Sequence, residues 1–228
     1  MPDTETQKPP LCPVGESRCA VIDELVDIRQ DILALQELVQ TDTLTGLGNY
    51  RHFCKIADRE MERTQRTGQP TAMILVDLDF FKKVNDTWGH EVGNQALTQT
   101  ASILKSDVRK LDVPCRYGGE EFIVILPSTD LLTGTQVAER LRRRIEETPL
   151  NIGTENITLT ASMGIDIYCH THHETREEFV ARVDSLLYQA KEGGRNQVCA
   201  GVRQDMQPTA NVSSDEKDAL FGIFGTND

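Results

Sequence analysis

The hexapeptide Tyr117-Gly118-Gly119-Glu120-Glu121-Phe122 constrains this chain more than any other feature. It follows a short extended segment, Pro114-Cys115-Arg116-Tyr117, and opens the apolar run Phe122-Ile123-Val124-Ile125-Leu126, which Pro127 ends. A Gly-Gly pair between two such runs predicts a two-residue hairpin, and hence an antiparallel strand pair. Two adjacent carboxylates ride on that turn. Side chains alternate along a strand, so Glu120 and Glu121 are expected to point to opposite sides, one toward a metal and the other toward a substrate hydroxyl or solvent.

A second acidic cluster, Asp77-Leu78-Asp79, stands where the apolar run Met73-Ile74-Leu75-Val76 stops. That run reads as a buried central strand. Carboxylates at a strand end beside a hairpin carboxylate suit a hard cation such as Mg2+, which takes oxygen ligands and is commonly held by one or two carboxylates plus substrate phosphates. Asp77 and Glu120 are the expected metal pair, and Asp79 is read as structural. Taken from these residues alone, the plainer alternative stays open: Asp77 and Asp79 end a strand, and Glu120 and Glu121 decorate a turn.

Around these clusters the pattern alternates between helices and strands. Phe53, Ile56, Ala57 and Met61 form a helical stripe ended by Gly68 to Pro70, and Leu97, Ala101, Leu104, Val108 and Leu111 form another. Val137, Leu141 and Ile145 mark a third helix, and Phe179, Val183, Leu186, Leu187 and Ala190 a last one. Ile157, Leu159, Ala161, Met163, Ile165, Ile167 and Cys169 alternate without a miss, which predicts a half-buried strand. Helices and strands in this order around a central hairpin point to an α+β fold. Upstream, Val21, Leu25, Ile28, Ile32, Leu35 and Val39 repeat at spacings of four and three, the seam of a short coiled-coil stalk that suits a homodimer. A helix lying on its own domain is the alternative.

With 228 residues the chain is long enough to bury a proper core. Its net charge of -12 argues against a nucleic-acid polymer as partner, and the acidity is uneven: residues 1–40 carry -5, 203–228 carry -3, and the middle is nearly balanced. No secretory leader and no membrane span are read from the sequence, so a cytoplasmic location is expected. The six cysteines lack metal-type spacing and read as reduced thiols; Cys12 and Cys19 alone would supply two of the four ligands that a structural zinc takes.

Six separated motifs give the chain a resemblance to the GGDEF family of diguanylate cyclases over roughly residues 41–200: DTLTGLGN (42–49), DLDFFKKVNDTWGHEVGN (77–94), RKLD (109–112), RYGGEEF (116–122), SMGI (162–165) and AKEGGRN (190–196). The resemblance implies a central, mostly antiparallel sheet with a βαββαβ core flanked by helices, similar to the palm of polymerases and nucleotide cyclases. The Pro-rich, polar composition of 1–18 reads as a disordered segment, the apolar seam marks 19–40 as a stalk helix, the resemblance makes 41–202 the catalytic domain, and the polar composition of 203–228 reads as a flexible acidic tail. The implied reaction joins two GTP molecules into cyclic di-GMP with release of two pyrophosphates, dependent on Mg2+ (or Mn2+), in a homodimer.

The resemblance also assigns roles. Asp77, Glu120 and the backbone carbonyl of Leu78 are implied as metal ligands, and Glu121 as the group that contacts or deprotonates the ribose hydroxyl. Backbone N–H groups at Phe80, Phe81 and Lys82 would receive phosphates, with Lys191 and Arg195 adding positive charge. The spacing of Lys191 and Arg195 alone favours a basic helix C-terminus complementing the dipole, with the helix ending at Gly193-Gly194 between them. Asn85 and Asn94 are implied as guanine readers, with Trp88 and His90 in the pocket wall. Asn94 departs from the family's usual Asp, which implies a GTP preference with some tolerance of ATP. Tyr50 departs from the family's frequent Arg, leaving an ion pair near Asp42 missing or supplied by Arg51. Arg109 and Asp112 match an inhibitory RxxD product site, with Arg140 completing it from a partner or a neighbouring helix. Asp215 to Phe224 resemble loosely the peptides that bind receiver domains, so the stalk or the tail is where a receiver or sensor partner is expected. Two rival functions remain: a module that binds GTP or cyclic di-GMP without turnover, and a cyclase making another cyclic nucleotide.

Overall fold

A computed structural model describes residues 22, 24–30 and 40–201. The run at 73–76 extends in both directions into strand β1 (Thr71–Leu78), every residue of which is buried. Its neighbours are β3 (Glu121–Leu126) and β6 (Ala161–Tyr168), both antiparallel to it, and β2 (Val113–Gly118) lies outside β3. A short β7 (Val198–Ala200) runs parallel to β6, giving the order β2-β3-β1-β6-β7. Strands β4 (Leu150–Ile152) and β5 (Glu155–Ile157) form a separate two-stranded sheet. The helices are α1 (Tyr50–Thr67), α2 (Phe81–Trp88), α3 (His90–Ser106), α4 (Leu131–Glu146) and α5 (Arg176–Glu192). Reading β1, α2 with α3, β2, β3, α4, β6 in turn gives the expected βαββαβ core.

Local chemistry fixes the helix ends. Asn49 caps α1 by accepting from His52 N, Asp130 caps α4 by accepting from Thr133 N, and Thr175 with Glu178 forms a reciprocal capping box on α5. Each face of the sheet then receives its own layer. Ile74, Val76, Phe122, Val124 and Ile165 pack with Leu97, Leu104, Leu141 and Ile145 of α3 and α4. Met73, Leu75, Ile123 and Ile125 pack with Phe53 and Met61 of α1 and with Phe179, Val183 and Leu187 of α5. Helix α5 crosses the sheet at Gly164, where a Cβ would lie 2.3 Å from the Val183 carbonyl oxygen and 2.4 Å from the Leu187 nitrogen. That contact sets the height of α5 above β1, and with it the place of Lys191.

Three expectations need correction. The unbroken alternation over residues 157–169 is two strands, β5 and β6, with residues 158–160 between them, and β6 is buried on both faces because helices cover both sides of the sheet. Helix α3 ends at Ser106, so Val108 and Leu111 lie beyond it and Leu111 is 77% exposed. The hairpin turns at Gly119-Glu120, not at the glycine pair, because Gly118 already faces Glu121 across β2 and β3.

Residues 24–30 are helical, and Leu25, Val26 and Ile28 are exposed there. The rest of the coiled-coil seam, the two N-terminal cysteines and the acidic tail lie outside the described residues. Cys54, Cys115, Cys169 and Cys199 carry free thiols; burial pushes that of Cys115 up to about 12, with the nearby Cys54 adding to the shift. No described helix is long and apolar enough to cross a membrane.

Candidate active site

Gly119 takes a positive φ of 50° at the first position of the turn, a conformation a Cβ disfavours, and so throws Glu120 to the tip of the hairpin. Because Glu120 lies in the turn and not on the strand, the opposite-sides rule does not govern it. Asp77 and Glu121 face each other directly across β1 and β3, and directly opposed residues of an antiparallel pair share one face. Lys191, in the last turn of α5, places Nζ 2.8 Å from Asp77 Oδ2. Asp77, Glu121, Glu120 and Lys191 thus meet at one edge of the sheet.

The charges in this cluster do not balance. Burial raises the Asp77 pKa; Lys191 opposes the shift, and Glu120 and Asp79 reinforce it. Burial likewise raises Glu121, with Asp77, Asp184 and Glu120 adding to the shift against Lys191. Each group therefore stabilises the fold when protonated, and that contribution fades as pH rises through its raised pKa. At neutral pH the cluster holds negative charge at a cost that further positive charge would lower.

Asp79 plays the structural part expected of it. It is buried and accepts from Ser162 Oγ at 2.7 Å, Thr160 Oγ1 at 2.8 Å and the backbone N–H of Asn196 at 3.0 Å. Just beyond it, Phe80 adopts a left-handed conformation and starts α2 without any side-chain cap, so no capping side chain takes up the first-turn N–H groups beside the strand end. Arg195 lies past the end of α5, as the glycine pair predicts, and its guanidinium stands 4.7 Å from the centre of the Phe80 ring. Asn85 is half-buried on α2 beside Gly93, while Trp88, His90 and Asn94 are exposed at the α2–α3 corner.

The ion pair at Asp42 is present, and Arg116 supplies it. Arg116 reaches both Asp42 carboxylate oxygens at 3.3 Å and donates to the Gly119 carbonyl at 2.8 and 3.0 Å. Burial works against it, yet hydrogen bonds from Thr45 and the Arg116 charge hold the Asp42 carboxyl below its ordinary pKa. This brace, which clamps the hairpin to residues 42–48, replaces the expected role of Arg51. Tyr50 joins Phe53 and Tyr117 in an aromatic cluster instead, with ring centres 5.3 to 6.1 Å apart. A separation of 74 residues hid the Asp42 pair from local sequence reasoning.

Away from this edge, Asp112 accepts from Arg109 N at 2.7 Å and returns a bond from its own N–H to the Arg109 carbonyl. Burial raises the Asp112 pKa against the charges of Arg109 and Arg140. Arg140 comes from α4 of the same chain and donates to the Asp107 carbonyl at 2.7 Å. It also lines a groove of about 620 Å³ along α4 with Leu132, Gln136, Glu139, Arg143 and Arg144.

No group of three or more His, Cys, Asp or Glu side chains poised for a metal occurs among the described residues. The acidic edge offers instead two carboxylates, Asp77 and Glu120, and the carbonyl at the end of β1. That sparse oxygen set fits Mg2+, which keeps waters and takes phosphate oxygens, and the excess negative charge around Asp77 fits a dication.

A family model described as "Diguanylate cyclase, GGDEF domain" matches residues 39–197. The chain belongs to the GGDEF family. The response regulator PleD of Caulobacter vibrioides is 43% identical over 164 residues, which are 71% of this chain and 36% of PleD. The chain therefore spans little more than a third of that relative's length. Among solved structures, diguanylate cyclase SiaD in complex with its activator SiaC, from Pseudomonas aeruginosa, is 38% identical with a TM-score of 0.69, covering 80% of this chain and 70% of that one. The coiled coil and GGDEF domain of DgcB from Caulobacter crescentus, in complex with c-di-GMP, is 28% identical with a TM-score of 0.68, covering 80% and 96%. The acidic hairpin described above is thus the GG[D/E]EF element of a GGDEF domain, here in its Glu form.

Proposed function

We propose that this GGDEF domain is a diguanylate cyclase that condenses two GTP molecules into cyclic di-GMP and two pyrophosphates. The observation that carries the proposal is the convergence of Asp77, Glu120 and Glu121 at one sheet edge, where Lys191 opposes the charge of Asp77 and Glu121. Asp77, Glu120 and the Leu78 carbonyl would hold Mg2+ or Mn2+. The ion, when bound, neutralises the triphosphate and acidifies the attacking 3'-hydroxyl.

The chain's own groups do the rest. The uncapped N–H groups of Phe80, Phe81 and Lys82 receive phosphate oxygens, because a helix start offers unpaired donors to anions. Lys191 and Arg195 add charge to the same anion. Glu121, whose raised pKa makes it a better proton acceptor than an ordinary carboxylate, takes the proton of the ribose hydroxyl. Asn85 and Asn94 read the guanine edge, and Trp88 and His90 wall the pocket. One domain presents one such nucleotide, so the reaction requires a second protomer opposite it. The homodimer through residues 19–40 supplies this, and a sensor or receiver partner acts through the stalk or the tail. The catalytic domain spans 41–202 and works in the cytoplasm, where its substrate is.

Incubating the full chain with Mg2+ and GTP or ATP, and identifying products by mass, tests the proposal. Cyclic di-GMP with two pyrophosphates is expected. Nucleotide bound but unchanged would favour a silent binding module, and another cyclic nucleotide would favour the third function.

Two predictions concern selectivity and control. A carboxylate at position 94 can accept from both guanine N1–H and the amino group, whereas Asn offers one accepting oxygen. Asn94→Asp is therefore expected to raise the GTP over ATP ratio of kcat/KM by about 3- to 10-fold, the worth of one hydrogen bond. An unchanged ratio would remove Asn94 from base reading. Arg109, Asp112 and Arg140 form the product-inhibition site, where guanidinium groups grip phosphate and stack on guanine. Loss of one charge-assisted bond corresponds to about tenfold or more in affinity, so Arg109→Ala should raise the inhibitory concentration of cyclic di-GMP by at least that factor. Unchanged inhibition would contradict the assignment.

A further inference from the structure

Asn196 makes more directed contacts than a turn residue needs. Its backbone N–H donates to Asp79 Oδ2 at 3.0 Å, its Nδ2 donates to Glu146 Oε1 at 2.8 Å, and its Oδ1 accepts from Arg142 at 2.7 Å. One residue thereby ties the end of β1 to the last turn of α4. Arg142 is in turn committed elsewhere: besides Asn196 it donates twice to Glu139 and once to Glu146, with its side chain only 12% exposed. Arg143 shares Glu139 with it at 3.0 Å, so two guanidinium groups meet the two carboxylates of Glu139 and Glu146, and the Arg142 pKa is raised chiefly by its hydrogen bond to Glu139.

The backbone here is held in an unfavourable form. Gly194, Arg195 and Asn196 have φ values of 116°, 64° and 46°, two consecutive non-glycine residues in the left-handed region. Asn tolerates that region better than most residues, but Arg does not, and such conformations persist only where surrounding bonds impose them. The contacts of Asn196 impose this one. Their consequence is the position of Arg195, whose guanidinium they hold over Phe80, at the strand end that carries Asp77.

We infer that Asn196, braced by Arg142 and Glu146, is a positioning residue that aims Arg195 at the bound nucleotide. The inference rests on the nucleotide site proposed above. It assigns a task to the far side of α4: the helix is a rigid stop against which the Arg195 turn is set. Releasing the Asn196 side chain lets the turn relax, and Arg195 then meets the anion from a different angle.

The test uses the full chain with three variants and three readouts: binding, turnover and the thermal midpoint. Binding is measured calorimetrically with 3'-deoxy-GTP and Mg2+, since this nucleotide lacks the attacking hydroxyl and cannot react; turnover is measured as pyrophosphate release from GTP. Asn196→Gly removes both side-chain bonds while easing the left-handed strain. It is expected to lower kcat/KM by about tenfold to a hundredfold, as misplacement of a charge by about an ångström does, and to weaken 3'-deoxy-GTP binding, with the thermal midpoint nearly unchanged. Asn196→Asp alone sets two carboxylates against each other and should lose activity similarly. Asn196→Asp combined with Glu146→Gln reverses the second hydrogen bond, the new amide donating to the new carboxylate, and should recover most of it. Wild-type binding and turnover in Asn196→Gly, or no recovery in the double variant, would overturn the inference. Failure of the unaltered chain to turn over GTP while binding 3'-deoxy-GTP would instead strike the cyclase reading, and the binding comparison would still decide the role of Asn196. An unaltered chain that bound no nucleotide would sink both.

Discussion

Asp77→Asn is expected to reduce cyclic di-GMP formation by about a thousandfold or more, the rate equivalent of losing ~4 kcal/mol of transition-state stabilisation, while leaving the domain at least as stable at neutral pH. The two effects have one origin. Burial and the charges of Glu120 and Asp79 raise the Asp77 pKa against the pull of Lys191, so the folded protein holds this carboxylate ionised at a cost. The stability it contributes is present in acid and lost as pH rises through its raised pKa; an amide of the same shape removes that loss. Function requires the charge that stability would shed. Initial rates of pyrophosphate release and thermal melts at neutral pH on the same preparations check the pair of outcomes. An active variant would contradict the metal role of Asp77, and a strongly destabilised one would contradict the electrostatic argument.

The second large effect is steric. Gly164→Ala places a methyl group 2.3 Å from the Val183 carbonyl oxygen and 2.4 Å from the Leu187 nitrogen, and because both are backbone atoms no rotamer change relieves the overlap. Helix α5 has to lift from the sheet, at a cost of about 1–3 kcal/mol or more. Lys191 rides on that helix, 2.8 Å from Asp77, so the shift reaches the site. A lowered denaturation midpoint together with a rise in KM for GTP is expected. Stability equal to the unaltered chain would show that α5 does not pack where Gly164 places it.

What the sequence disclosed and what it hid follow from the range of the interactions. The β1 run, the hairpin, the α1 stripe and the break after Glu192 are local patterns, and each was readable from spacing and glycine placement. The ends of the elements were less legible. Leu111 continues a helical periodicity that the chain abandons at Ser106, and the alternation from Ile157 to Cys169 runs straight through an interruption, because periodicity does not reveal where hydrogen bonding stops. The alternation of Glu120 and Glu121 does not apply for a related reason: it presumes a strand where the chain turns, and only Glu121 lies on the strand that would obey it. Motif order carried the identity of the acidic edge. The supports of that edge were invisible: Arg116 meets Asp42 across 74 residues, and Asn196 meets Asp79 across 117. Nothing in either neighbourhood signals the other.

Electron paramagnetic resonance of Mn2+ with 3'-deoxy-GTP tests the central claim most directly, because it reports ion capture without needing turnover. The unaltered chain should bind Mn2+ when the nucleotide is present, and Asp77→Asn and Glu120→Gln should each lose most of that binding. Undiminished Mn2+ binding in either variant would contradict a shared site formed by the end of β1 and the hairpin tip.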